Sequence, residues 1–209
     1  MTTILEMPLR DMSSASMEAL QSKYPQATLR IEAENTLHNG GIDEAQFWAI
    51  IDLFDWRTRN SEAILKPAIE ALSRFSTEEI HLFHNILNEK LYTLDGQRFA
   101  EQLGSNRYAP EENKYFSGDG FLYARCCVVA NGKNFYEKVL KNPTKMPKEH
   151  TFESLLYLPA KAFQLKTKRE DYNYFPDVWH ETFSNAAGWP NRAPLQDRFS
   201  PKESLGINL

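Results

Sequence analysis

The 209-residue sequence is poor in cysteine, and its only two cysteines, Cys126 and Cys127, are adjacent. Neighbouring residues cannot easily meet the geometry of a disulfide, so the chain offers no disulfide framework. The start of the sequence also lacks a basic region followed by an apolar run, which is the pattern of a secretory signal, and it lacks a lipid-anchor motif. We therefore expect a cytoplasmic protein.

Catalytic and metal-binding motifs are incomplete. Glu78 and His81 form a Glu-x-x-His pair, but the di-metal pattern needs a second copy on another helix, and none is present. His180-Glu181 begins like a zinc protease motif, yet Ser184 stands where the second histidine is required. A Gly-x-Ser-x-Gly nucleophile elbow is also missing. The sequence therefore predicts no catalytic residue, no metal and no cofactor.

The net charge of −4 is unevenly distributed. Residues 1–130 carry 12 Lys and Arg against 19 Asp and Glu, whereas residues 131–209 carry 12 against 9. Phosphate contacts need a basic stripe, so nucleic acid is not an expected partner of the acidic part. Two interpretations stay open: a solvated acidic surface, or a surface complementary to a basic protein.

Residues 119–132 form the stretch around which the chain is organised. They are apolar on every side of a helical wheel, and Arg125 is the only charge after Asp119. An all-apolar helix belongs inside a bundle, and this one is too short to cross a bilayer, which needs about 20 apolar residues. Asn131-Gly132 is typical of a left-handed cap at its end. The stretch therefore predicts a buried central helix.

Other apolar residues recur at helical spacing through the body of the chain. Asp43 is expected to cap a helix that reaches Asp55, and Asn60 a second helix that contains Pro67. Ser76 and Glu79 form a capping box for a third helix that runs to about Leu103. A short helix is predicted after Gly132, and a last one over 152–165 with Pro159 in its middle.

The fold class predicted from these patterns is mainly α. It comprises a small N-terminal β-α-β appendage (1–40), a compact helical domain around the buried central helix (41–168) and an irregular tail (169–209) that wraps the domain. Six aromatic residues are expected to anchor the tail, namely Tyr172, Tyr174, Phe175, Trp179, Phe183 and Trp189. No membrane-spanning segment is predicted.

Several segments resemble a bacterial protein family, the domain of unknown function 4240. They are Asp43-Glu44-Ala45-Gln46-Phe47-Trp48-Ala49-Ile50-Ile51, Leu72-Ser73, Ser76-Thr77-Glu78-Glu79-Ile80-His81-Leu82-Phe83, Asp119-Gly120-Phe121, Val129-Ala130-Asn131-Gly132-Lys133-Asn134-Phe135-Tyr136 and Leu140-Lys141-Asn142-Pro143. The resemblance covers roughly residues 43–148. It implies a small cytoplasmic helical domain and no agreed activity.

Two functional hypotheses compete. The first is a protein-binding protein of the immunity or antitoxin type, which neutralises a cognate toxin by occlusion. Its basic partner, expected to be a toxin domain, would contact an acidic surface made of Asp52, Asp55, Glu62, Glu78 and Glu79. The second is a small enzyme of unknown reaction that uses a pocket near Arg125, Asp119 and Glu79.

Arg125 is the residue on which these hypotheses differ most. An unpaired buried charge is very costly, so a guanidinium in an apolar helix needs a partner. One interpretation is an ion pair with Asp52, Asp55 or Glu79. The other is an anion pocket lined by Arg125, Tyr123 and Asp119. The oligomeric state is left open by the sequence.

Overall fold

The structure, a computed structural model, describes residues 22–24 and 41–190. The chain divides into two compact units, Met1–Asn39 and Gly40–Leu209. Within the second unit, residues 41–190 contain seven α-helices and no β-strand, so the predicted mainly helical fold is confirmed. Apart from residues 22–24, the β-α-β unit predicted over residues 1–40 lies outside the described residues, as does the stretch from 191 onward.

Most of the helices are joined by short turns, while the two longest connections, 101–117 and 142–157, contain 3-10 turns. The helices are α1 (Glu44–Ile51), α2 (Ser61–Leu72), α3 (Thr77–Thr93), α4 (Gln97–Ala100), α5 (Gly118–Ala130), α6 (Lys133–Lys141) and α7 (Leu158–Thr167), with 3-10 turns at Pro110–Glu112, Pro143–Lys145, Glu153–Tyr157 and Ala186–Gly188.

The predicted helix starts are confirmed by their hydrogen bonds. The Asp43 side chain accepts from the backbone N–H of Gln46, whose own side chain accepts from the backbone N–H of Asp43, so α1 begins with a full capping box. Ser76 and Glu79 make the same reciprocal pair at the start of α3. These starts are local arrangements, which is why the sequence alone predicts them.

The predicted end of the third helix is wrong. Instead of continuing to about Leu103, α3 ends at Thr93, and Leu94, Asp95 and Gly96 separate it from the four-residue α4. Asp95 is fully buried in this break. A buried carboxylate needs donors, and the break positions it to receive them from outside its own helix.

The predicted central helix is α5, and its burial is confirmed. Phe121, Val128 and Val129 are fully buried, as is Arg125. The helix packs against α3, α6 and the 3-10 turn Glu153–Tyr157. Within the range that the structure describes, no helix is both long and apolar enough to cross a membrane.

Gly132 joins α5 to α6 in the conformation that its sequence predicts. Its φ of 82° lies in the left-handed region, which a residue with a Cβ adopts only under strain. A Cβ there would also come within 2.9 Å of the Asp52 carboxylate. The chain can therefore turn directly from the central helix into α6.

The predicted last helix is a shorter helix preceded by a 3-10 turn. Glu153–Tyr157 is the 3-10 turn, and α7 begins only at Leu158. Pro159 therefore lies in the first turn of α7 rather than in the middle of a helix, where its missing N–H would have broken the hydrogen-bond ladder.

Candidate functional site

Residues 169–190, here called the C-terminal strap, leave α7 and run over α3 and α5 without forming a helix until the 3-10 turn Ala186–Gly188. From residue 171 to residue 182 the side chains are alternately exposed and partly buried, one by one. A period of two is that of extended backbone, whose successive side chains point to opposite sides. The strap thus has an inward face and an outward face.

Two tyrosines of the inward face pack on histidines of α3. The ring of Tyr174 stacks on His81, with centroids 4.1 Å apart and planes within 5°. The Tyr172 hydroxyl and His84 Nδ1 are hydrogen-bonded at 3.0 Å. Both contacts join residues nearly ninety positions apart, so they fix the first half of the strap along α3.

Two asparagines of α3 continue this attachment. Asn85 Oδ1 accepts from the Tyr174 hydroxyl at 2.9 Å, and Asn85 Nδ2 donates to Asp177 at 2.7 Å. Asn88 is fully buried, and its Oδ1 accepts from His180 Nδ1 at 2.5 Å. An amide oxygen can only accept, so the proton of His180 lies on Nδ1.

The buried carboxylate of Asp95 takes all three of its hydrogen bonds from the strap. The donors are the backbone N–H groups of Phe183 (3.1 Å) and Asn185 (2.9 Å) and the indole Nε1 of Trp189 (3.0 Å). Charge-assisted hydrogen bonds of this kind are the strong ones. One buried carboxylate therefore binds three residues of the second half of the strap.

Arg125 is held by the same segment. Its guanidinium donates to the carbonyl oxygen of Leu91 and to Thr182 Oγ1, each at 2.9 Å, and lies 4.7 Å from the centroid of the Phe121 ring. Burial lowers the pKa of Arg125, and the charge of Asp95 opposes that effect. The predicted pairing with Asp52, Asp55 or Glu79 is wrong, because a helix carbonyl and a threonine accept from the two terminal nitrogens of the guanidinium instead, while its buried Nε has no hydrogen-bond partner in the described part of the chain.

The histidines beneath the strap are held in their neutral form. Burial, together with the charges of His180 and His81, lowers the pKa of His84 to about 4. Burial also lowers the pKa of His180, with Glu181 opposing and Arg125 adding to the shift. The pKa of His81 falls for the same main reason. Neutral rings suit the hydrogen bonds that His84 and His180 make with Tyr172 and Asn88.

The outward face of the strap carries two large aromatic side chains. Phe175 is 73% exposed and Trp179 53% exposed, and their rings meet edge to face with centroids 6.3 Å apart. Their predicted role as anchors is wrong, because the alternation that turns Tyr174 and His180 inward turns Phe175 and Trp179 outward. Asp177 and Glu181 alternate with them on the same face.

The strap is also acidic within the basic half of the chain. Residues 169–190 carry four carboxylates, those of Glu170, Asp171, Asp177 and Glu181, against one arginine, Arg169. Arg169 forms an ion pair with Asp171 next to it. The outward aromatic pair is therefore surrounded by negative charge.

Three of the five carboxylates predicted to form an acidic surface have partners within the chain. Arg57 binds Asp55 through two hydrogen bonds, at 2.7 and 2.8 Å, and these lower the pKa of Asp55 to about 2. Glu62 faces Lys161 of α7 at 3.4 Å, and Glu79 is part of the capping box of α3. The remaining two, Asp52 and Glu78, are exposed.

The structure does not gather the residues of the predicted anion pocket. Arg125 is fully buried and contacts Leu91, whereas Asp119 is exposed in the first turn of α5. Tyr123 faces Glu153, whose charge helps burial to raise the pKa of its hydroxyl. Glu79 lies twelve residues before Leu91 on the same helix, a separation of about 18 Å at the helical rise. These groups do not converge on one cavity.

Two shallow surface cavities lie beside α7. One of about 360 Å³ is lined by Glu62, Leu65, Ser154, Tyr157 and Lys161. The other, of about 310 Å³, shares Tyr157 and Lys161 and reaches Tyr172 of the strap. Over residues 22–24 and 41–190 there is no group of three or more His, Cys, Asp or Glu side chains placed to hold a metal ion. The polar side chains that do lie close to one another are found beneath the strap.

Sequence reasoning missed the polar contacts beneath the strap, both those that join Asn88 to His84 and His180 and those that Asp95 receives. Their one local signal is the alternation of residues 172–182, where Tyr172, Tyr174, Pro176, Val178 and His180 occupy every second position. The residue types themselves follow no regular order along the strap, so the sequence does not show which positions are buried.

Comparison with known proteins identifies a family. A sequence model of a family described as "Protein of unknown function (DUF4240)" matches residues 42–165, more than half of the chain. This confirms the resemblance found in the sequence, and the match ends before the strap begins. No curated protein and no solved structure matches the chain.

Proposed function

Because this chain belongs to the DUF4240 family, whose description specifies no activity, we propose its function from the surface it presents. It is a cytoplasmic protein-binding protein of the immunity or antitoxin type, which neutralises a basic toxin domain by covering the working surface of that toxin. Its contact surface is the outward face of the strap, formed by Phe175, Asp177, Trp179 and Glu181.

The exposed aromatic pair is the observation that carries this proposal. Large aromatic side chains are enriched among the residues that contribute most to protein–protein affinity. Phe175 and Trp179 are presented by a segment whose neighbours are tied down, since Tyr174 and Asp177 both bond to Asn85 and His180 bonds to Asn88. A surface held in place before contact loses less conformational entropy on binding.

The charge of the strap indicates what kind of partner it fits. Asp177 and Glu181 flank the aromatic rings, and a Lys or Arg side chain can pair with a carboxylate while lying over the face of Trp179. A basic toxin domain offers such side chains. Neutralisation by occlusion needs no chemistry from this chain, and Cys126 and Cys127 are both free thiols, which fits the reducing cytoplasm.

The experiment is capture of the partner from the source cell, followed by binding kinetics. The immobilised chain is exposed to lysate, the retained protein is identified and purified, and its association is measured at about 50 and 300 mM salt. The Phe175→Ala, Trp179→Ala double variant should weaken binding by at least about tenfold. Reversing Asp177 and Glu181 should slow association and flatten its salt dependence.

Two control variants give the test its specificity. Tyr115→Ala removes an aromatic ring that is 84% exposed but lies outside the strap, and should leave binding unchanged. Reversing Asp52 and Glu78 tests the acidic surface predicted from the sequence. Should the strap variants bind normally while Asp52 and Glu78 prove essential, the strap is not the contact surface. A captured protein that is not basic, or that has no toxic activity for the chain to suppress, rules out the toxin-neutralising role.

A further inference from the structure

The backbone of residues 172–176 has no hydrogen-bond partner in the described part of the chain, and that of Asp171 bonds only to its own carboxylate, although the neighbouring side chains are firmly held. The first backbone amide along the strap with a partner after this stretch is that of Asp177, which donates to Asn85 at 3.3 Å. Unpaired N–H and C=O groups along extended backbone are a template for another strand.

The alternation also determines which of the two edges of this segment has a backbone N–H group at every position. In extended backbone the N–H and C=O groups of one residue point to the same edge, and those of its neighbour point to the opposite edge. Asp171, Asn173 and Phe175 share one edge and keep all their N–H groups. Tyr172, Tyr174 and Pro176 share the other, which proline interrupts because it has no N–H.

We propose that residues 171–176 bind an extended, basic segment of the partner protein by strand addition along the edge of Asp171, Asn173 and Phe175. The inference rests on the proposed function and specifies its contact. Backbone hydrogen bonds supply affinity in this mode, and the flanking side chains supply selectivity. Lys and Arg side chains of the added strand meet Phe175 and Asp177, and basic residues of the same segment that extend past the paired stretch meet Trp179 and Glu181.

Charge excludes a second copy of this chain as the occupant. Each strap carries four carboxylates against one arginine, so two straps paired edge to edge would bring two like net charges together. Like charges opposed across strands are destabilising. A dimer in sedimentation that Asn173→Pro converts to monomer would overturn this choice of occupant.

The test uses the full chain and synthetic eight-residue peptides of alternating residues, capped at both ends. Lys-Val is the basic probe and Glu-Val its charge-reversed control. A third probe is Lys-Val with N-methyl groups on alternate amides, which removes the donors of one strand edge. Amide hydrogen exchange of the protein is followed by NMR. Lys-Val should slow exchange at Asn173 and Phe175 at least tenfold and leave Tyr174 unchanged, while Glu-Val should have no effect.

A matched pair of variants tests the backbone itself. Asn173→Pro removes one N–H from the proposed edge at an exposed position, where the Asn173 side chain makes no hydrogen bond within the described residues. It should weaken binding of Lys-Val at least tenfold, whereas Asn173→Ala, which keeps the N–H, should stay within twofold of the wild type. N-methylation of the peptide should reproduce the effect of proline without any change to the protein, so the result does not depend on how the variant folds.

The possible outcomes separate this inference from the proposed function. Binding of Lys-Val that tolerates both Asn173→Pro and N-methylation contradicts strand addition but leaves a basic partner on the aromatic pair. No binding of Lys-Val at about 1 mM, a free energy near −4 kcal/mol, also overturns strand addition. A captured toxin that ignores Phe175 and Trp179 overturns the proposed contact surface itself.

Discussion

The carboxylate of Asp95, buried where α3 ends, accepts a hydrogen bond at 3.0 Å from the indole Nε1 of Trp189, which lies ninety-four residues later. Both side chains are inside the protein, at 0% and 4% exposure. Trp189 also packs against Phe183, Phe121 and Tyr108. One aromatic residue therefore joins the last described segment to both the central helix and the only buried carboxylate within residues 41–190.

Replacing Trp189 by Phe should lower the free energy of unfolding by about 2 kcal/mol, because a buried charged acceptor loses one of three donors and some packing. Urea unfolding followed by circular dichroism measures the change. Trp179→Phe is the matched control, since Trp179 is exposed and makes no hydrogen bond in the described structure, and it should stay within about 0.5 kcal/mol of the wild type. Equal effects at the two positions would contradict the role given to Asp95.

Arg125 should tolerate methionine better than alanine. Arg125→Ala removes two hydrogen bonds, the packing of the side-chain stem and the charge that faces Asp95, and should cost about 4 kcal/mol. Methionine keeps an apolar stem in the same space, so Arg125→Met should cost less by about 1–2 kcal/mol. Urea unfolding of the two variants decides the matter. Small and equal losses would mean that the guanidinium is not buried.

The two cysteines should react slowly in the folded protein. Burial raises the pKa of Cys126 to about 12 and also raises that of Cys127, which is half-buried and bonds to Asn131. Only the thiolate is a good nucleophile, so labelling with an aromatic disulfide reagent at pH 7.5 should be at least about 100-fold slower than in 6 M urea. Rapid stoichiometric modification of either thiol without denaturant would refute this.

Stability should fall between pH 7 and pH 5 because of the histidines beneath the strap. The pKa of His84 is about 4 in the folded chain, whereas an ordinary histidine, as in the unfolded chain, has a pKa of 6.5. Between these two values the unfolded chain therefore binds one more proton than the folded chain. The stability that the chain gains from a neutral, buried His84 is present above pH 6.5 and is lost as the pH falls toward 4. From pH 7 to pH 5 it amounts to about 2 kcal/mol, and His180 adds a loss of the same sign.

Urea unfolding at both pH values, with His84→Gln beside the wild type, measures this effect. The variant should have a flatter pH dependence, whatever its absolute stability. His150→Gln changes a histidine exposed in a loop and should keep the wild-type slope. The groups around His84 that could modify the slope are His81, His180, Tyr172 and Tyr174. A wild type equally stable at pH 7 and pH 5 would contradict the burial of these rings.

Local features of the sequence predicted much of this fold. The N-cap at Asp43, the capping box at Ser76 and the left-handed Gly132 are each decided by a few neighbouring residues, and all three are present in the structure. The break after α3 also has a local signal that the sequence analysis did not use, since Asp95-Gly96 is a pair typical of turns. The burial of Asp95 in that break could not be predicted locally, because the backbone donors that bind its carboxylate lie 88 and 90 residues away.

The candidate site depended even more on distant contacts. The alternation divides the strap aromatics between two faces, but which face turns inward is set by His81, His84 and Asn85 on α3, and nothing in residues 169–190 alone shows it. The acidic surface predicted from the sequence stays a prediction, but its charge is partly balanced for a related reason. Counting carboxylates along the chain does not reveal that Arg57 and Lys161 already pair with two of them.

The dependence of Asp95 on the strap constrains how relatives of this chain can differ. A chain that ended at residue 165, where the family match ends, would keep the carboxylate of Asp95 and lose all three of its donors. Such a chain could be stable only with an uncharged residue at that position, or with donors recruited from elsewhere. Relatives that have an acid at position 95 should therefore also have an aromatic-rich extension after α7. Relatives that lack this extension should have a different residue at position 95.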